Sequence, residues 1–241
     1  MQDTIDLNNG FTREEWCLLR LRRLHEDRCE LIQKDQQHVR LYNESRLVIH
    51  MLPEASCFEK QTIAAARLKQ VSESIKPLGG NSSGYGAGRF NADGYLLQSG
   101  DVASCYTQLY RCGRIEAVMS DLYYEANGDG KLLRPWCDDA VLSTLEGYLP
   151  FAKLIGLEPP FWFFASVLGC EGVRISISRS WGHTSNHAID RDVVRLPEMR
   201  IDTFDTVPDQ LLRPVLDVLW NSAGVERSLN YDENGNRKPR R

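Results

Sequence analysis

Apolar residues first recur at a helical period between Thr12 and about Tyr42, where Cys17, Leu21, Leu24 and Leu31 fall near one face. Thr12 and Glu15 have the spacing of a capping box, in which a hydroxyl and a carboxylate satisfy N–H groups that the first helical turn leaves open. Acidic and basic residues interleave over the rest of this segment, as a solvated face with i,i+4 pairs requires. The period then shortens: Leu47 to Leu52 reads as a strand ended by Pro53. A helical stretch follows from about Glu59 to Ile75, closed by Pro77 and Gly79-Gly80, and Gly79 to Gly88 reads as a glycine and serine loop.

Residues 89–118 read as three short strands in succession. Tyr95 to Gln98 follows the turn signal Asn91-Ala92-Asp93-Gly94. Tyr106 to Tyr110 is aromatic and β-branched with near alternation. Cys112-Gly113 separates it from Arg114 to Val118, where Ile115 and Ala117 share one face and Arg114, Glu116 and Val118 the other. An antiparallel hairpin is expected, because glycine supplies the positive φ of a tight turn.

Beyond the hairpin, Val141, Leu145, Tyr148, Leu149 and Ala152 mark an amphipathic helix over Asp138 to Ile155, with an Asp near its start and Gly156 at its end. Phe161 to Leu168 is apolar on both faces and reads as a central strand, with a buried helix as the alternative. Val173 to Ser178 alternates and is expected to pair with it across Gly169 to Gly172. A last helix spans about Pro208 to Ala223, with Leu212, Val215, Leu216 and Leu219 inward, Pro214 breaking or restarting it and Gly224 as its stop. The expected fold class is α+β: mainly antiparallel sheet with packed helices and a long N-terminal helix. Its parts are a leader and helix over 1–45, an α+β domain over 46–234 and a disordered basic tail over 235–241.

Residues 89–118, with Arg46 to Pro53, Leu168 to Arg174, Ile189 to Asp192, Leu196-Pro197-Glu198, Leu212 to Asn221 and Asn230 to Glu233, resemble in their order the C-terminal region of bacterial Schlafen Alba-like proteins. That region follows an N-terminal Alba-like DNA-binding domain, and the resemblance covers about Arg46 to Asn234. It implies a non-catalytic module acting in nucleic-acid-linked regulation or defence. Cys112 stands where the pattern has a turn-forming Asn before Gly113. An Alba-like domain would show an acidic residue leading into a Glu-Phe-Lys-like strand, a helix, and a Gly-Gly turn before a strand reading like Ile-Gly-Val. Residues 1–45 hold none of these, so ATP binding, which belongs to that domain, is not carried over.

With 42 % hydrophobic and 26 % charged residues, the 241-residue chain has the composition of a globular protein able to bury a core. A net charge of −4 offers no global attraction to nucleic acid. Seven cysteines without a Cys-x-x-Cys pair read as reduced, buried thiols, and no apolar run reaches the roughly 18 residues of a membrane span. A cytoplasmic location is expected, with neither signal peptide nor membrane anchor.

Candidate chemistry is sparse. His183 and His187 with Asp190 and Asp192 offer metal-ligand types, but Gly182, Ser185 and Asn186 argue for a loop, and no metal site is assigned. Gly84-x-Gly86-x-Gly88 lacks the Lys-Ser or Lys-Thr, and the preceding strand, of a phosphate loop. No Gly-x-Ser-x-Gly elbow is present. Cys57, Cys105 and Cys137 would act as nucleophiles only beside a histidine, and the carboxylate pairs Glu116 with Asp121 and Asp138 with Asp139 belong to no motif. Arg89, Asn91 and Asp93, and the pair Asp190-Arg191, are the candidate ligand-binding residues, each with a structural alternative as turn or ion-pair groups. Arg20, Arg22 and Arg23 with Arg237, Lys238, Arg240 and Arg241 are the candidate nucleic-acid contacts. No catalytic residue and no cofactor is assigned. The leading expectation is a non-enzymatic accessory or interaction module with a separate protein partner. A hydrolase or nuclease with a dispersed site, and direct nucleic-acid binding through basic patches, are the alternatives.

Overall fold

Phe161 to Leu168 forms an eight-residue strand with both faces buried, because only a position between two packed layers removes so continuous an apolar run from water. In the computed structural model, which describes residues 10–58, 62–75, 78, 88–126, 130–134, 137–177 and 184–238, it is the second strand from one end of the main sheet. The elements in chain order are α1 (Arg13–Gln33), β1 (Arg40–Leu41), β2 (Arg46–Pro53), a short 3₁₀ turn (Glu54–Cys57), α2 (Ala65–Ser72), β3 (Arg89–Phe90), β4 (Gly94–Gln98), β5 (Val102–Ala103), β6 (Cys105–Tyr110) and β7 (Ile115–Met119). They continue with β8 (Tyr123–Ala126), β9 (Gly130–Leu133), α3 (Cys137–Leu154), β10 (Phe161–Leu168), β11 (Arg174–Ile175), β12 (Val193–Arg195), β13 (Met199–Ile201) and α4 (Pro208–Asn221). Eight strands make an antiparallel sheet in the order β12-β10-β2-β7-β6-β4-β3, with β13 sharing the outer side of β10. The expected α+β class is what the chain adopts.

Strand register sorts the side chains. Phe164, His50, Glu116, Gln108 and Leu96 are direct cross-strand neighbours along one row, and Ala165, Ile49, Ala117, Thr107 and Leu97 along the next. Successive residues point to opposite faces, so the second row joins the core built with α2, α3 and α4, and the first faces α1. Leu47, Ile49, Met51, Phe163, Val167 and Ala117 meet Val141, Leu145, Leu212 and Leu216 in that core.

Most sequence expectations hold with shifted bounds. The capping box at Thr12 and Glu15 is formed, but α1 ends at Gln33, since Asp35 takes a φ of 56° and turns the chain toward β1. The hairpin of β6 and β7 turns through Gly113, whose φ is 85°. Pro214 lies inside α4 without breaking it.

Two expectations fail. The segment after Gly172 does not pair with β10; β11 lies parallel to β9 in a separate three-stranded sheet. The antiparallel flank of β10 is already occupied by β12 and β13, and the Cys170 and Gly172 amides bond Asp192 O and Ile189 O instead. The stretch from Gly235 to Lys238, expected to be disordered, is fastened: Arg237 pairs with Asp139, and the Lys238 amide bonds Asn230 O at 2.8 Å. Residues 239–241 lie outside the described residues. No described helix is long and apolar enough to cross a membrane.

At Gly113 a Cβ would sit 2.7 Å from Leu157 Cδ2 on a left-handed backbone. Gly113→Ala is therefore expected to lower unfolding free energy by about 1–3 kcal/mol in denaturant titration, combining the backbone penalty with displacement of Leu157.

Candidate functional site

The buried stripe of α1 runs Cys17, Leu21, His25, Cys29 and Ile32, so a histidine faces the sheet where a helix on a purely apolar surface would place a leucine. His25 lands on the polar part of the His50, Glu116 and Gln108 row. Its Nδ1 is 2.7 Å from His50 Nδ1, and its Nε2 is 2.8 Å from Ser166 Oγ on β10 and 3.5 Å from Cys29 Sγ. His50 Nε2 lies 3.0 Å from Glu116 Oε2. Arg28, one turn along α1, grips both Glu116 oxygens at 2.7 and 2.8 Å, and Tyr106 OH donates to Oε1 at 2.8 Å. Four elements thus converge on one line of groups: Ser166, His25, His50, Glu116 and Arg28.

Ionised Glu116 only accepts, so His50 Nε2 donates to it. With neutral imidazoles a single proton order then satisfies every atom: Ser166 hydroxyl to His25 Nε2, His25 Nδ1–H to His50 Nδ1, His50 Nε2–H to Glu116. Burial alone would raise the Glu116 carboxyl, but the hydrogen bonds from His50 and Arg28 outweigh it and hold the carboxyl well below the usual range. Burial, and then His50, push His25 well below the ordinary histidine value. Burial raises the Cys29 thiol to about 12.

Hydroxyl, imidazoles and carboxylate in this sequence are the parts of a nucleophile relay. Access decides what they can do. A cavity of about 110 Å³ opens between Leu24 and Leu52 and is lined by Arg28, His50, Tyr110, Arg114 and Glu116. It touches the carboxylate end of the line only. Ser166 is 0 % exposed and Cys29 5 %, and neither lines the cavity. A larger cavity, about 590 Å³, lies elsewhere, among Tyr42, Glu44, Tyr123, Glu125, Lys131, Glu171 and Asp192. No group of described residues has the arrangement of a metal site.

The residues proposed from sequence lie away from this line of groups, apart from the contact of Asn91 with Gln108. Asn91 holds the turn before β4, accepting from the Gly94 amide at 2.9 Å and donating to Gln108 at 2.6 Å, while Asp93 faces His38 at 3.5 Å. Arg89 sits on the short edge strand β3. Asp190 and Arg191 pair with each other on the surface, Nε to Oδ1 at 2.7 Å. Within the basic cluster Arg22 pairs with Glu198, Arg23 with Asp27 at 3.9 Å, and Arg20 stacks 5.3 Å over Trp16. Arg237 is held by Asp139, and the Lys238 ammonium donates to Leu229 O at 2.9 Å. His187 is exposed, while His183, Arg240, Arg241 and Gly84 and Gly86 of the glycine loop lie outside the described residues. The carboxylate pairs separate: Asp121 binds Arg134 at 3.1 Å, and buried Asp138 accepts from Trp220, Ser228 and Asn230.

Sequence reading missed Ser166, His25, His50 and Arg28, and met Glu116 only as one of several carboxylates. The available signals were faint: a histidine in the apolar run Leu47 to Leu52, and His25 and Cys29 continuing the i,i+4 spacing from Cys17 and Leu21. The chain matches no protein-family model, no curated protein and no solved structure.

Glu116→Gln keeps the shape but leaves Arg28 without its counter-charge, and is expected to cost about 3–5 kcal/mol in denaturant titration. Arg23→Gln, breaking an exposed pair, should cost at most about 1 kcal/mol. Acid should act on the same cluster. Folded His25 and Glu116 both titrate below their ordinary values of 6.5 and 4.5, so in acid the unfolded chain binds protons that the folded chain does not. Their stabilisation is complete above the higher value and is lost as pH falls, His25 beginning near 6.5 and Glu116 near 4.5. Melting temperature followed from pH 8 to pH 4 should thus be level, then decline from about 6.5, and His25→Gln should remove the upper part of the decline.

Proposed function

We propose that this chain is a non-catalytic interaction module, related to the region that follows the Alba-like domain in Schlafen-like bacterial proteins, and that it works with a separately encoded partner in nucleic-acid-linked regulation or defence. The sealing of the polar line carries this reading. Ser166 and Cys29, its two nucleophile types, are buried away from the adjoining cavity, and the groups around them satisfy one another across four elements. Such an arrangement fixes the position of α1 on the sheet and keeps the Ser166 hydroxyl and the Cys29 thiol away from anything seated in that cavity. The ordered resemblance from Arg46 to Asn234 supports the family side of the reading. Basic groups that are paired or stacked, on a chain of net charge −4, favour a partner that supplies the nucleic-acid contact.

The relay itself favours a second reading, a hydrolase whose line opens when α1 moves. The two are separated by a fluorophosphonate probe and by iodoacetamide, each applied to the folded protein. An interaction module leaves Ser166 and Cys29 unlabelled and co-elutes as one species with the product of a neighbouring gene on co-expression. Stoichiometric labelling of Ser166 in the native state, abolished by Glu116→Gln, would establish the hydrolase instead. In fluorescence anisotropy, duplex DNA should show no saturable binding tighter than roughly 100 µM at physiological salt. Tighter binding that weakens steeply with salt would identify direct recognition.

A further inference from the structure

Cys17 on α1 and Cys57 at the end of the 3₁₀ turn after β2 lie 40 positions apart in sequence, with their sulfurs 2.8 Å apart. That is well inside the contact distance of two sulfur atoms, and closing to the roughly 2.05 Å of a disulfide needs a movement of less than about 1 Å. The pair is independent of the relay. It belongs to a separate cluster with Leu21, Leu52, Trp162 and Phe164, under Trp16 and Phe58. Cys17 is 0 % exposed and Cys57 8 %, so a small oxidant meets Cys57 first.

From this geometry we infer that Cys17 and Cys57 are an oxidation site, closed to a reversible disulfide by a hydroperoxide and covalently fastening α1 to the end of β2. The surroundings assign the roles. The hydrogen bond from Cys17 lowers the Cys57 thiol, burial opposes it, and Arg114 and Arg20 add to the lowering. The bond to Cys57, and burial, raise Cys17. Cys57 is therefore the attacking thiolate and Cys17 the resolving thiol. Cys57 thiolate attacks one oxygen of hydrogen peroxide, the O–O bond breaks, and hydroxide leaves and takes up a proton, giving a sulfenic acid and water. Cys17 sulfur then attacks the Cys57 sulfur and loses its proton, while the S–O bond breaks and a second water leaves. The two sulfurs give up two electrons in all, and one peroxide is reduced to two waters.

The loop so closed carries His25, Arg28, Cys29, Arg46 and His50, so oxidation constrains both sides of the α1–sheet contact. Arg20, proposed from sequence as a nucleic-acid contact, gains a different part here, stacked on Trp16 and lowering the Cys57 thiol.

The test uses the full chain, reduced and then treated with substoichiometric hydrogen peroxide, blocked with N-ethylmaleimide in denaturant and mapped by non-reducing peptide mass spectrometry. The expected product is a Cys17–Cys57 linked peptide lighter than its two thiol peptides by two hydrogen atoms, reversed by dithiothreitol, with the other five cysteines recovered as maleimide adducts. The oxidised chain should melt about 5–10 °C higher than the reduced one. In Cys17→Ser the link is lost and Cys57 accumulates as a dimedone-reactive sulfenic acid. The inference is overturned if Cys17 and Cys57 of the folded wild-type chain both come back as maleimide adducts after peroxide, or if either links to a different cysteine. The wild-type measurement decides the matter even where the serine variant fails to fold.

Discussion

A carboxylate almost wholly removed from water needs charge and hydrogen bonds from its surroundings, and Glu116 draws them from three elements at once. Arg28 on α1 supplies the opposite charge through two parallel bonds, His50 on β2 supplies an imidazole N–H, and Tyr106 on β6 a hydroxyl. The cost of taking both charges out of water is offset only while all three elements keep their register. Helix α1 is thereby held at one rotation over the sheet. An apolar stripe alone would tolerate sliding by a turn; a bidentate ion pair and two histidines in line would not.

The same constraint explains why the Ser166 end of the line is buried. Ser166, His25 and His50 are donors and acceptors recruited to finish the line that Glu116 begins, and a buried line must end on a group that needs no water. Ser166 meets that need on β10, with the Cys29 sulfur beside His25 as a second contact. The small cavity beside Arg28 and Glu116 marks where the line reaches solvent, through Arg28, whose side chain is 20 % exposed.

On the opposite face the sheet is packed by α2, α3 and α4, and the polar contacts there among the described residues are mainly between neutral groups, as in the 3.0 Å contact of Thr107 with Tyr148. Asp138 is the exception. Burial raises its carboxyl while Ser228, Asn230 and Trp220 work against that, and together with Arg237 on Asp139 these contacts draw the C-terminal residues onto α3 and α4. Both faces follow one rule: a buried carboxylate gathers donors from distant parts of the chain and so fixes where those parts lie.

Local patterns determined the elements. The Thr12–Glu15 box, the Gly113 turn, the alternation in β6 and β7, the doubly apolar Phe161 to Leu168 run and the inward leucines of α4 are each set by residues within one helical turn or one strand. The α+β class was legible for that reason. The candidate site was not, because Arg28 and Glu116 stand 88 positions apart and His25 and Ser166 141 apart. Each has an ordinary local setting, and nothing nearby in the chain distinguishes Glu116 from any other carboxylate. Partners for β11 were misjudged on the same ground, since which edge of β10 is open depends on where β12 and β13 return. Periodicity acts over a few residues and leaves its mark in order; cross-strand register and helix rotation bring remote residues into contact, and only the assembled sheet decides which polar groups meet.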